Sequence, residues 1–268
     1  MGHRKPEAGS DLDARRESTM AKHVEHEVAY YYDFHPTQED LMGETSVHAT
    51  LVHYLMEVLI WLFRGQMCAV YENLNFYQTP NPKEYPLAPD IALVKGVAFQ
   101  HVRSWRVGKT GPAPQVVFEI ASEETWKKDL EEKPMKYALM GVQEYFAYDP
   151  NEPPIGRETA RRLFGWQLDQ TRRAMREMPV GPGGHLWSPH LDSFLVPEAE
   201  FLHLYDRTGQ RRLTQAEAEA EARRAEARRA EAEARRAEAE AEARKAETKR
   251  AEALAEKLRS LGIDPDQI

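Results

Sequence analysis

The spacing of hydrophobic positions changes several times along the chain, and each change marks an element. In "QEDLMGETSVHATLVHYLMEVLIWLFRG", Leu51, Leu55, Val58, Leu59 and Leu62 recur at helical spacing, with Gly65 standing where such a helix would close. The segments that follow are rich in β-formers. "MCAVYENLNFYQ" and "PLAPDIALVKGVAF" predict strands, the second carrying Ile91, Leu93 and Val94 after Pro89-Asp90. "QVVFEIAS" is apolar almost throughout, as a central strand covered on both faces must be. A helix through Lys133, Tyr137 and Met140 is expected to end near Gly141, and "EYFAYDP" reads as a strand stopped at Asp149-Pro150. Beyond it, "RRLFGWQLDQ", "AMREMPV" and "HLWSPHLDSFLV" alternate with Gly and Pro punctuation and predict further antiparallel strands. A strand-helix-strand unit set among hairpins implies an α+β architecture with an α/β core: a mixed sheet flanked by helices, not a doubly wound one.

From Gln215 the pattern becomes Ala, Glu and Arg, all strong helix formers, with Glu-Arg pairs three and four apart. Some 44 residues of this kind make a rod of roughly 65 Å. Alanine supplies little to insert into a facing helix, and only Leu254, Leu258 and Leu261 form an apolar stripe, so the segment reads as a charged single helix or a weak coiled coil. The chain divides accordingly into a disordered polar tail (1–27), a folded domain (28–214), the charged helix (215–259) and a C-terminal tail (260–268). In the first tail, His23 and His26 have a spacing that could hold a metal on a helix, but a tail gives that spacing no rigidity.

Composition narrows the classes. With 268 residues, 41% of them hydrophobic, a sizeable core is available. The longest apolar run, Leu51 to Phe63, contains His53 and Glu57 and falls short of the ~20 residues a membrane span needs. The N-terminus lacks the apolar stretch of a signal peptide, and Cys68 is the only cysteine, so a reducing cytoplasm is expected, without disulfides or a cysteine zinc site. Between Gln215 and Arg259, 12 glutamates face 12 lysines and arginines, so the net charge of −8 belongs to the rest of the chain. No G-x-S-x-G elbow, P-loop or H-E-x-x-H is present, and Cys68 has no evident activating partner.

Candidate chemistry rests on carboxylates in apolar surroundings. Asp90 and Glu119 fall on predicted strands, where a charge is disfavoured unless paired or bound to a cation. Two such groups from neighbouring strands can converge on a divalent ion such as Mg²⁺, which accepts one or two carboxylates and several waters. Lys133 lies four residues after Asp129 and four before Tyr137, so the three share a helix face, and a lysine there could orient water or steady developing charge. Asp129 with Glu132 also has the spacing of a capping box. Pro134 requires the helix to start late or bend at Lys133. Lys127, Lys128 and Lys136 are alternatives, whereas Lys95 lies an odd number of residues from Asp90 and should face away. In "HVRSWRVGKTG", Arg103, Arg106 and Lys109 surround Trp105, a mixture that could track a nucleic-acid backbone, although a plain hairpin with solvated ends is the favoured reading.

"APDIALV", "VVFEIAS" and "KKDLEEK…KYALMGVQEYFAYDP", in this order and spacing, resemble the Uma-two-type family of restriction endonucleases within the PD-(D/E)XK nuclease superfamily. The resemblance extends through "GHLWSPHLDSFLV" and "FLHLYDRTGQRRLT", covering about Tyr30 to Thr214, and includes the closing "EKLRSLGIDPDQI". It implies a restriction-endonuclease-like fold and a Mg²⁺- or Mn²⁺-dependent endonuclease that hydrolyses DNA phosphodiester bonds. It makes Asp90 and Glu119 catalytic metal ligands and adds Glu44 as a further acidic metal ligand. The superfamily lysine usually stands two residues after the second acid; Ala121 holds that position here, and the resemblance assigns the role to Lys133. His48 could steady the site or simply pack its helix. DNA is then the partner, with a homodimer formed through the nuclease-like domain or the C-terminal helix. The competing expectation is a catalytically inactive nuclease-fold scaffold that assembles through that helix.

Overall fold

A computed structural model of the chain describes residues 29–35, 45–155, 160–262 and 264. Helix α1 (Ser46–Leu62) opens at Thr45, whose hydroxyl accepts from the His48 amide. Its Leu51, Val52, Leu55, Val58 and Leu59 are buried on one side, as their spacing requires. The chain leaves the helix at Phe63, and Gly65 supplies a left-handed φ of 74° two residues later, so the glycine shapes the exit instead of capping the helix.

Strands β1 (Cys68–Glu72), β2 (Phe76–Tyr77), β3 (Ile91–Lys95), β4 (Trp105–Arg106) and β5 (Val116–Ile120) follow. Two short helices come next, α2 (Trp126–Glu131) and α3 (Lys133–Met140), and then β6 (Glu144–Tyr148). The remaining elements are β7 (Leu163–Asp169), β8 (Ala174–Glu177), β9 (Leu186–Ser188), β10 (Ser193–Glu198), β11 (Phe201–Tyr205) and α4 (Gln215–Ser260).

The main sheet has the order β1-β3-β5-β6-β7-β8, and only the β5-β6 pair is parallel. A parallel pair needs a crossover, and α2-α3 provide it. The mixed α+β sheet expected from the sequence is therefore present. The later strands divide: β7 and β8 extend the main sheet, whereas β9, β10 and β11 form an antiparallel sheet of their own. Strand β11 was not anticipated as a strand; β4 falls in the segment that also read as a hairpin, but it has only two residues and pairs in parallel with β2. Trp105 within it is fully buried and donates from Nε1 to the Pro112 carbonyl, so it belongs to the core and not to a stacking surface.

Both faces of the main sheet are covered. Ile91, Leu93, Val116, Phe118, Ile120, Phe146 and Tyr148 meet α1 and the small sheet. Ala92, Val94, Val117, Tyr145 and Ala147 meet Tyr137 and Met140 of α3, with Phe76 and Trp105. The packing is close at Gly165, where a Cβ would lie 2.6 Å from Leu186 and 2.9 Å from Phe146. Alternation puts the Glu119 side chain on the α3 face with Val117.

Pro134 acts as expected on the crossover. The helix breaks at Glu132, and α3 restarts with the proline in its first turn, where the missing N–H has no helical partner to lose. Gly141 closes α3 with a φ of 91°. Helix α4 begins with a capping box between Thr214 and Glu217 and runs for 46 residues without burying any of them. No helix among the described residues is long and apolar enough to cross a membrane.

Candidate active site

The geometry of the site follows from the ends of two strands and the start of one helix. Asp90 sits in the bend immediately before β3, not on the strand itself. Its Oδ2 accepts the Ile120 amide at 2.6 Å, which ties Asp90 to the end of β5 one residue beyond Glu119. Its Oδ1 lies 3.3 Å from His48 Nε2 on the first turn of α1. His48 thus meets a site carboxylate instead of only packing its helix.

Glu119 is 3% exposed and receives two donors on one oxygen. Tyr137 Oη donates to Oε1 at 2.5 Å, and Lys133 Nζ lies 2.9 Å from the same atom. Lys133 also reaches Asp129 Oδ1 at 2.8 Å. Asp129 Oδ2 accepts from Thr125 Oγ1 at 2.9 Å. Asp129 is therefore no cap: it lies within α2, 1% exposed, and its partner is a lysine rather than a helix-end amide. Helical spacing explains why Asp129, Lys133 and Tyr137 converge, and the break at Glu132 does not destroy that alignment.

The electrostatics are those of crowded acids. Burial pushes the Glu119 carboxyl up from its ordinary range; the Lys133 ammonium opposes this, and the charges of Asp90 and Asp129 add to it. Asp129 is raised by burial as well, against the pull of Lys133 and Thr125 and with a push from Asp90. Burial works against a charged Lys133, but Glu119 and Asp129 outweigh it and hold the ammonium above its usual range. The two donors on Oε1, the Tyr137 hydroxyl and the Lys133 ammonium, both favour the ionised form of Glu119 and so work against its burial. Burial, followed by Glu119 itself, raises Tyr137, so its hydroxyl stays a donor.

Two carboxylates thus share one ammonium while the charge of Asp90 acts on both of them, an excess of negative charge that a bound cation would relieve. The donors available are carboxylate oxygens, the chemistry of a hard divalent ion. Among the described residues no three His, Cys, Asp or Glu side chains surround one point. A cation here would take Asp90 and Glu119 and complete its shell with water, a coordination Mg²⁺ accepts. Glu44, His23 and His26 lie outside the described residues.

The other candidates fall elsewhere. Lys95 Nζ donates to the His190 carbonyl at 2.5 Å, at the opposite end of β3 from Asp90. Lys136 pairs with Glu132 on the surface, and Lys127 lies over the Trp126 ring. Cys68 has its thiol pushed up by burial, the reverse of an activated nucleophile. Arg103 lies 3.9 Å from the Phe34 ring centre and donates to the Asp33 carbonyl. The contacts of Tyr137 and Thr125 were not read from the sequence as site contacts; the i+4 and i−4 spacing about Asp129 and Lys133 was the available signal.

A family model described as "Uma2: Putative restriction endonuclease" matches residues 20–190, more than half of the chain. Among solved structures, a crystal structure described as that of "a putative nuclease belonging to DUF820" from Anabaena variabilis is similar at 13% identity. It covers 56% of this chain and 76% of its own, with a TM-score of 0.40. No curated protein matches.

Proposed function

The chain belongs to the Uma2 family, whose description reads "Putative restriction endonuclease", and from that premise we propose that it is a divalent-metal-dependent endonuclease hydrolysing DNA phosphodiester bonds. One observation carries the reading. Lys133, from the helix after β5, brings its ammonium to 2.9 Å from Glu119 and so restores the charge missing at Ala121.

Asp90 and Glu119 would hold Mg²⁺ or Mn²⁺. A bound ion of this kind lowers the pKa of a coordinated water and polarises a phosphoryl oxygen. The rest belongs to side chains. Tyr137 fixes the rotamer of Glu119 by donating to Oε1. Ile120 and His48 hold Asp90 from two sides. Lys133, 17% exposed at its side chain, keeps its proton and offers positive charge to a phosphate that gains negative charge in the transition state. In the reaction a water oxygen bonds to phosphorus while the bond to one sugar oxygen breaks, leaving a phosphomonoester and a hydroxyl. A homodimer fits the same reading, since a two-fold axis would bring one site to each strand of a duplex.

Plasmid nicking with and without Mg²⁺ tests the proposal. Wild-type protein should cut only with metal, and Asp90→Asn and Glu119→Gln should each lose about 10²-fold or more of the rate while keeping the wild-type circular dichroism spectrum. Cutting that survives chelator or either substitution removes the reading. Absence of cutting together with absence of metal uptake would leave the scaffold reading in its place.

A further inference from the structure

Lys133 is shared by two buried carboxylates that come from different elements. Glu119 lies at the end of β5 beside Asp90 and is a proposed metal ligand. Asp129 lies in α2, and its surroundings fix it from the other side. Thr125 Oγ1 holds Oδ2 at 2.9 Å, and Tyr145 Oη donates to the Asp129 backbone carbonyl at 2.9 Å. Asp129 does not close with Asp90 and Glu119 on one point, since no three acidic, His or Cys groups among the described residues do so.

We infer that Asp129 is the positioning residue for Lys133, keeping hold of the lysine so that Glu119 is released to a cation. The inference rests on the metal reading of Asp90 and Glu119. Like charges repel, so an ion on Glu119 pushes the ammonium away from that oxygen. With Asp129 at 2.8 Å, the ammonium has a second carboxylate in place and stays beside the site. Without Asp129, Lys133 has Glu119 alone, competes with the ion for it, and is driven toward solvent when the ion wins. A lysine delivered from a helix, rather than from the strand that carries the second acid, needs such an anchor because its long side chain has many rotamers.

Mn²⁺ calorimetry on the full-length protein, with a parallel measurement of plasmid nicking, tests this. Asp129→Asn should weaken Mn²⁺ binding about tenfold and lower kcat while KM for DNA stays near the wild-type value. In a Lys133→Met background the same substitution should change Mn²⁺ affinity by less than about twofold, because a buried Asp129 without its lysine takes up a proton and is neutral already. Should Asp129→Asn fail to fold, Thr125→Val, which loosens Oδ2, should show the same lysine-dependent weakening at smaller size. Wild-type affinity in Asp129→Asn, or in Thr125→Val where that variant must decide, overturns the inference alone. So does an equal loss in both backgrounds, which would mean direct action on the ion. Wild-type protein that takes up no Mn²⁺ overturns the metal reading and this inference with it.

Discussion

Glu119 and Glu144 are buried glutamates on adjacent, parallel strands, yet they are built for different ends. Glu119 sits near the end of β5 on the α3 face, and Glu144 starts β6 on the α1 face, paired in register with Val116. Burial raises both carboxyls. Their neighbours separate them. Glu144 accepts from the Ser188 hydroxyl and, at 3.2 Å, from the His190 amide, and Ser188 accepts the Leu191 amide in turn. These donors are neutral, the Lys95 ammonium acts on Glu144 only through its charge, and the hydrogen bonds pin the turn between β9 and β10 onto the main sheet. Glu119 instead faces two further acids and a single lysine. A buried acid ringed by neutral donors is a staple; a buried acid crowded by other acids asks for a cation.

The largest effect that could break this contrast is on DNA cleavage. Glu119→Gln should remove about 10²-fold or more of the rate, while Glu144→Gln should leave it within about threefold at a temperature where both proteins are folded, a bound set by distance from the site. Equal losses would erase the distinction. Next comes the pair of hydroxyls that serve the two acids. Tyr137→Phe should lower kcat about tenfold through a less well fixed Glu119, whereas Ser188→Ala should leave kcat unchanged and cost about 1–3 kcal/mol in urea unfolding.

A smaller effect is the dependence of stability on pH. Glu144 is raised from 4.5 to about 7, chiefly by burial and against Ser188, His190 and Lys95. Between those values the folded protein keeps a proton that the unfolded chain has lost, so its stability falls as pH rises from about 5 to 7. Glu144→Gln should flatten that decline, worth on the order of 2 kcal/mol, in denaturation series at several pH values. An unchanged slope would assign the pH dependence to other groups. The smallest effect should come from shortening α4 beyond residue 225. Since the helix buries nothing, the melting of the domain should move by less than about 0.5 kcal/mol in stability; a large loss would reveal a partner for the rod.

Much of the fold was legible in the sequence because apolar runs and their punctuation are local. The burial of α1 at Leu51, Leu55 and Leu59, the β5 run and the halt at Gly141 needed no distant contact to be read. The two-residue strand β4 was legible only as part of a hairpin, since it exists only through its pairing with β2. Asp90 and Glu119 stood out as charges in apolar surroundings, and the structure brings both to one end of the sheet. Asp129 was ambiguous because an acid three before Glu132 and four before Lys133 fits a cap and an ion pair alike. Only the arrival of Glu119 at the same ammonium decides between them. Glu144 gave no signal, because an acid at the first position of a strand looks like an ordinary solvated end. Its partners lie 44 and 46 residues further along the chain.

The most direct test of the central claim is a crystal of the protein soaked in Mn²⁺, with anomalous difference density measured at the manganese edge. The account predicts one peak within about 2.5 Å of oxygens from both Asp90 and Glu119, with none beside Glu144. A peak at Glu144, or none at Asp90 and Glu119 at millimolar Mn²⁺, would contradict it.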